Sequence, residues 1–386
     1  MMPFWPVRRS GVPAFAWASL ACVLLLSLGL VKAGEPVEPA ADAEKTAIAV
    51  EALSRLKGMD LEANPTVKAA VVRVLQQVRG RPEFVEIVRD FQLTDQDAGL
   101  LEVATKSPRD SSGVEAARLL LAHQNAGLLQ EGFRGSNALA LTEALGQARV
   151  KESIPLLEPL VVDPARDLKV RQEAVRGLAR VQEGAVGLLR LVRDNKLPTE
   201  LKLTATVELN AVRWPEIKAE ATRLLPLPLA LNSQPLPPVA ELMKRKGDPL
   251  KGAEVFGRET VGCNRCHQVN GQGIDFGPNL SEIGSKLGPD AIFQAILEPS
   301  AGISVGFEAW QLEMKNGDEA YGLVSSETAE ELVVKAVGGI VSRYKKRDIA
   351  QRTQQKLSVM PSGLEQSMSV QDLVDLVAYL GTLKKK

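Results

Sequence analysis

The sequence predicts a mainly α-helical chain in two parts. An N-terminal solenoid of stacked helix pairs comes first, followed by an all-helical domain that carries a small antiparallel β insertion. Three observations carry this expectation. From about Lys45 to Pro226, apolar residues recur at three- and four-residue spacing, the period of amphipathic helices. A proline-dense stretch around Leu225–Pro238 then interrupts any regular structure. Beyond it, helical signals flank a block of short alternating segments punctuated by glycines.

The first residues read as an export signal. Arg8 and Arg9 precede an apolar run from Val12 to Val31, and Val31-Lys32-Ala33 fits a small-x-small cleavage site, so residues 1–33 are expected to leave as a signal peptide. The competing expectation is an uncleaved membrane anchor, since the run is nearly long enough to span. A lipoprotein site at Cys22 fits less well, because Ser19 stands where leucine is wanted and the apolar run continues past the cysteine. Either surviving reading places the bulk of the chain outside the cytoplasm, in a periplasm-like compartment. Residues 34–44 hold two prolines and four acids and read as a disordered spacer. Lys+Arg and Asp+Glu both total 47, and removing the leader leaves 44 against 47, a net charge of −3. A nucleic-acid binder would show a basic excess instead.

Each helix of the region 45–225 carries its own stripe. Val67, Ala70, Val71 and Val74 form one, and Val170, Ala174, Val175 and Leu178 form another. Helix pairs are expected at about 136–162, 165–195 and 198–225, with looser ones before them. Helices this short bury their apolar faces only by stacking, which predicts a solenoid. The segment 167–178 resembles the second half of a HEAT-type repeat. Little chemistry is visible here. Glu200 and Glu208 have the spacing of a solvated helix face, and His123 at the end of an apolar stripe reads as structural rather than as a ligand. A docking surface for another protein is the functional reading left to the solenoid; a passive spacer is the alternative.

Residues 226–247 are expected to form a proline-rich, extended linker. The domain 248–386 follows. Asp248-Pro249 opens a helix with an N-cap and a proline at the first position, and Ser369 with Asp372 forms a capping box for the last helix. Between them, residues 306–350 read as a β-meander, with Asn316-Gly317 and Gly338-Gly339 as hairpin turns.

The most specific chemistry lies in Cys263-Asn264-Arg265-Cys266-His267. Two thiols at this spacing can each add to one vinyl group of haem, and the next histidine then falls under the iron. Zinc needs about four ligands, and outside the motif the chain offers one other histidine, His123, besides carboxylates. Thiol exchange wants the motif at a helix N-terminus, whereas here a helix precedes it and a glycine-rich loop follows.

The order Gly252, Phe256, Cys263–His267, Gly277-Pro278-Asn279-Leu280, Met360-Pro361 and Leu373…Leu380 is similar to a class I cytochrome c. More narrowly, it resembles the haem-binding domain of planctomycete and verrucomicrobial proteins, in which helical repeats often precede the cytochrome and a similar β insertion occurs. The resemblance implies first and last helices crossing beside one covalently attached haem c, bound through Cys263 and Cys266. It implies that the Pro278 carbonyl orients His267 and that Met360 supplies the sixth ligand. Met314, Met368 and His123 are the other candidates. Met314 falls in an expected strand and Met368 directly precedes the last N-cap.

These readings point to single-electron transfer rather than substrate turnover, with a separate periplasmic dehydrogenase implied as donor. A haem sensor or peroxidase-like enzyme with a displaceable sixth ligand, and a scaffold whose solenoid is the working part, are the alternatives. The run Lys345-Lys346-Arg347 is a candidate for steering an acidic partner. Membrane association is expected only if the leader stays uncleaved.

Overall fold

The helices begin where local chemistry favours a start. Prolines stand at the first or second helical position of seven of them, and Asn125, Asp167, Asp248 and Ser369 accept from backbone N–H groups as N-caps. The computed structural model describes residues 39–226, 236–258 and 260–385. The expected signal peptide, the start of the spacer and residues 227–235 of the expected linker lie outside the described residues.

Twelve helices make up the first part of the described chain: α1 (Pro39–Ser54), α2 (Pro65–Gln77), α3 (Pro82–Asp90), α4 (Asp97–Lys106), α5 (Ser111–His123), α6 (Ala126–Gly132), α7 (Ala138–Ala148), α8 (Ile154–Val162), α9 (Leu168–Ala179), α10 (Gln182–Arg193), α11 (Lys202–Asn210) and α12 (Pro215–Leu224). The end of the expected spacer is therefore helical, since Pro39 already opens α1. One continuous apolar core runs from Leu53 to Leu225. Close approach of α7 and α9 depends on a glycine pair: a Cβ on Gly146 or Gly177 would lie 2.8 Å from the other's Cα. Among these described residues no helix is long and apolar enough to cross a membrane.

The second part holds α13 (Val239–Leu242), α14 (Pro249–Gly257), α15 (Ile283–Lys286), α16 (Pro289–Leu297) and α17 (Val370–Thr382). The end of the expected linker is folded rather than extended. Leu242 is fully buried in the same core as Val255, Phe293 and Leu376, with Leu236 and Val239 packed against it. Gly252 lets α14 cross α17, because a Cβ there would meet the Asp375 carbonyl at 2.0 Å. The Asp375 carboxylate is itself buried and accepts from the Asp248 N–H at 2.8 Å and the Gln371 amide at 2.7 Å.

The insertion is a five-stranded antiparallel sheet: β1 (Ala309–Met314), β2 (Glu319–Glu327), β3 (Glu331–Ala336), β4 (Ile340–Lys345) and β5 (Ile349–Gln354), in the order β4-β3-β2-β1-β5. It runs past the expected end at 350, because β5 returns to pair with β1. Each turn is longer than the expected two residues: Ala336 pairs with Ile340 across three residues, and Glu313 pairs with Glu319 across five. Gly338 and Gly339 both have positive φ, at 92° and 77°, a backbone only glycine adopts at low cost.

Residues Thr46–Lys386 form one unit, and within it the sheet packs on the helical part. The Val341 N–H donates to the Ser111 hydroxyl at 2.8 Å, and the Arg149 guanidinium to the Val337 carbonyl at 3.2 Å. Arg118 bonds Ser342, and the Lys151 N–H reaches the Asp318 carboxylate at 3.3 Å. Arg213 pairs with Glu319 and Gln311, its guanidinium 4.7 Å from the Trp214 ring and 5.1 Å from that of Tyr321. Part of the helical surface is thus occupied by the chain's own sheet.

Candidate haem site

The site is built on the α14–α17 crossing. Arg258, just past α14, donates to the Asp372 carboxylate at 2.9 Å, and Asp372 closes the capping box with Ser369. Gly262, with φ 71°, turns the chain out of α14 into the turn Cys263–Arg265. The Cys266 and His267 N–H groups both donate to the Cys263 carbonyl, at 3.1 and 2.9 Å. Two half-buried cysteines and a histidine are thereby held on one tight turn, and neither thiol forms a disulfide.

The loop 271–280 then folds back over this turn. The Ile274 N–H donates to the Asn264 carbonyl at 2.9 Å, the Gly277 N–H to the Cys266 carbonyl at 2.6 Å, and the Leu280 N–H to the Gln268 carbonyl at 2.9 Å. The loop ends with Pro278, whose carbonyl lies 2.8 Å from His267 Nδ1. A neutral imidazole donates there through Nδ1–H, which leaves Nε2 as the basic nitrogen. Gly277 lies flat against the ring, since a Cβ there would come within 2.7 Å of Cε1 and 2.9 Å of Nδ1.

Burial sets the electrostatics. It pushes the Cys263 thiol up to about 11 and raises that of Cys266. It also lowers the pKa of His267, with the hydrogen bond to Pro278 working against it. The histidine is thus biased to the neutral form that a metal requires.

His267 and Cys263 line an apolar cavity with Phe256, Leu280, Met360 and Met368, among other side chains. Met360 belongs to the loop after β5, and Met368 to the residue before the Ser369 N-cap. Both methionines therefore line the cavity, and sequence position alone did not reveal that Met368 shares it. Met314 is elsewhere, packed against the sheet core beside Leu312. His123 pairs with Asp97 at 2.6 Å and ties α5 to α4. Glu200 pairs with Arg171 at 2.7 Å, while Glu208 is half-buried rather than solvated, 3.7 Å from Arg176. Lys346 is engaged by Glu327 at 2.6 Å, so the basic run after β4 is partly neutralised.

Residues 250–333 match the cytochrome c family. The match begins in α14 and ends in β3, so it covers the two cysteines, His267 and Pro278 but not Met360 or α17. A cytochrome c domain supports haem-based electron transfer and implies covalently bound haem c. The residues present fit such a group: two cysteines free of any disulfide, an imidazole with one nitrogen committed to a carbonyl, and an apolar cavity lined by two methionines. In the cytochrome c domain the thiols would anchor the group and His267 would hold its iron, which supplies one-electron chemistry. Separately, the chain is similar to a protein named deoxyhypusine hydroxylase from Aspergillus clavatus, 28% identical over 124 residues. That likeness covers 28% of this chain and spans 37% of the length of that protein.

Proposed function

We propose that this chain is a periplasmic c-type cytochrome with one haem, which passes single electrons from a separate dehydrogenase to a downstream acceptor. The observation that carries the reading is that Cys263, His267 and Met360 line one apolar cavity while Pro278 holds the imidazole. Met360 serves as sixth ligand, a soft thioether that stabilises ferrous iron and raises the potential. An iron ligated on both sides leaves no position for substrate, so the chain acts as a carrier rather than an enzyme. The stacked helices act as HEAT-like repeats that dock the donor on faces the sheet leaves free. The closer kinship is to the planctomycete and verrucomicrobial haem-binding proteins, on the motifs quoted above.

A hydroxylase reading draws on the likeness to deoxyhypusine hydroxylase. Among the described residues no group of three or more His, Cys, Asp or Glu side chains is placed to hold a metal ion. The decisive experiment is a redox titration, followed by absorption, of protein purified from a periplasm that attaches haem. A reversible one-electron transition from a covalently bound haem is expected. Protein that carries no covalent haem, with its leader removed and its fold intact, would sink the proposal.

A further inference from the structure

The proposed chemistry runs through the imidazole of His267, so whatever holds the loop 274–278 also tunes it. We propose that the end of β3 and its turn into β4 form a positioning element for this imidazole, with Lys335 on the strand and Gly339 in the turn making its contacts. The inference rests on the haem reading above.

The loop reaches the imidazole at its end, through Gly277 and Pro278, and its earlier residues are tied to the cysteine turn by backbone bonds, Gln272 with Val269 at 2.9 and 3.0 Å and Ile274 to Asn264 at 2.9 Å. Residues 271–273 and Asp275 are exposed and Ile274 is half-buried. Two contacts come from the sheet. Lys335 pairs with the Asp275 carboxylate at 2.8 Å. Gly339 abuts Ile274, close enough that a Cβ would stand 2.9 Å from its Cγ2. A crevice of about 400 Å³ separates the start of α5, this loop and the turn, and Arg109, Ser111, Ile274, Asp275, Lys335 and Gly339 are among the residues around it. The ion pair joins two of these walls. The turn is in turn anchored to the helical part, by Arg149 at Val337 and by Ser111 at Val341. A continuous series of contacts therefore leads from the stacked helices, through β3–β4, to the carbonyl that holds His267.

Stability alone does not explain the ion pair. The Asp275 side chain is 66% exposed, and such pairs contribute little to folding. Its effect is on orientation. A well-held Nδ1–H···O=C bond makes an imidazole a stronger donor and favours ferric iron. Loosening that bond favours ferrous iron and raises the potential.

The test uses the full-length holoprotein with Lys335→Met, Asp275→Asn and both together. Charge alone lowers the midpoint potential in the first, raises it in the second and cancels in the double variant. Positioning adds an upward shift to all three and is isolated in the double. It also speeds exchange of the His267 Nδ1 proton, read by NMR in the reduced protein. Lys335→Arg should restore both readouts. A double variant with wild-type potential and wild-type proton exchange would overturn the proposal. Wild-type protein without covalent haem would instead overturn the reading on which it rests.

Discussion

The Nδ1 of His267 lies 2.8 Å from the carbonyl oxygen of Pro278, eleven residues further along the chain. Between them the loop carries Gly277, whose hydrogen faces the imidazole at a distance no Cβ tolerates. Gly277→Ala is expected to push the ring off the carbonyl and destabilise the domain by about 1–3 kcal/mol. Haem incorporation and the thermal midpoint report this. A variant with full incorporation and an unshifted midpoint would show that the ring and the glycine are not in contact.

Two methionines reach the cavity, and their roles are separable. Met360→Ala should abolish the sulfur-to-iron band of the oxidised protein and let carbon monoxide bind the reduced form. Met368→Leu nearly conserves volume and should keep the band, at a cost under about 1.5 kcal/mol. A band that survives in Met360→Ala and disappears in Met368→Leu would transfer the sixth-ligand role to Met368, which lines the same cavity.

Asp372 joins α17 to the end of α14, and the hydrogen bond from Arg258 is the chief cause of a carboxylate pKa lowered to about 2. A carboxylate whose pKa falls on folding stabilises the fold above its unfolded value and loses that contribution as the pH drops. The loss is therefore expected between about pH 4 and 2. Because the pair is substantially exposed, about 1 kcal/mol is the expected size. Denaturant titrations at pH 6 and pH 2.5 measure it: Asp372→Asn should narrow the difference between the two, and an unchanged difference would rule out this pair as its source.

The α7–α9 contact offers a test far from the cavity. Gly177→Val adds atoms where even a Cβ would sit 2.8 Å from Gly146 Cα and from a Leu157 methyl. Overpacking of this kind costs about 1–3 kcal/mol. Calorimetry should show a lower melting temperature while the haem spectrum stays unchanged; equal stability would mean that the two helices part without cost.

Several features were legible before the fold was seen. The Asp248 cap and the Ser369–Asp372 box were readable because capping acts over three residues. The helix pairs of residues 136–225 were readable because a stripe repeats within each helix. β5 was not. Ile349–Gln354 is exposed at nearly every position, so it lacks the alternation that marks a half-buried strand, and only pairing with β1 defines it. The folding of Leu236–Leu242 onto the second core was hidden for a similar reason, since proline density says nothing about what lies across space.

By itself, the sequence determined the covalent and short-range part of this protein: two thiols and an imidazole on one turn, and the helix starts. Chain connectivity and hydrogen bonds over a few residues suffice for those. The tertiary structure alone decided that Met360 and Met368 share a cavity with His267, that Gly277 lies against its ring, and that Lys335 reaches Asp275 sixty residues away. Such contacts follow from how the helices cross and how the strands register, and packing sets both only once the whole chain has closed on itself.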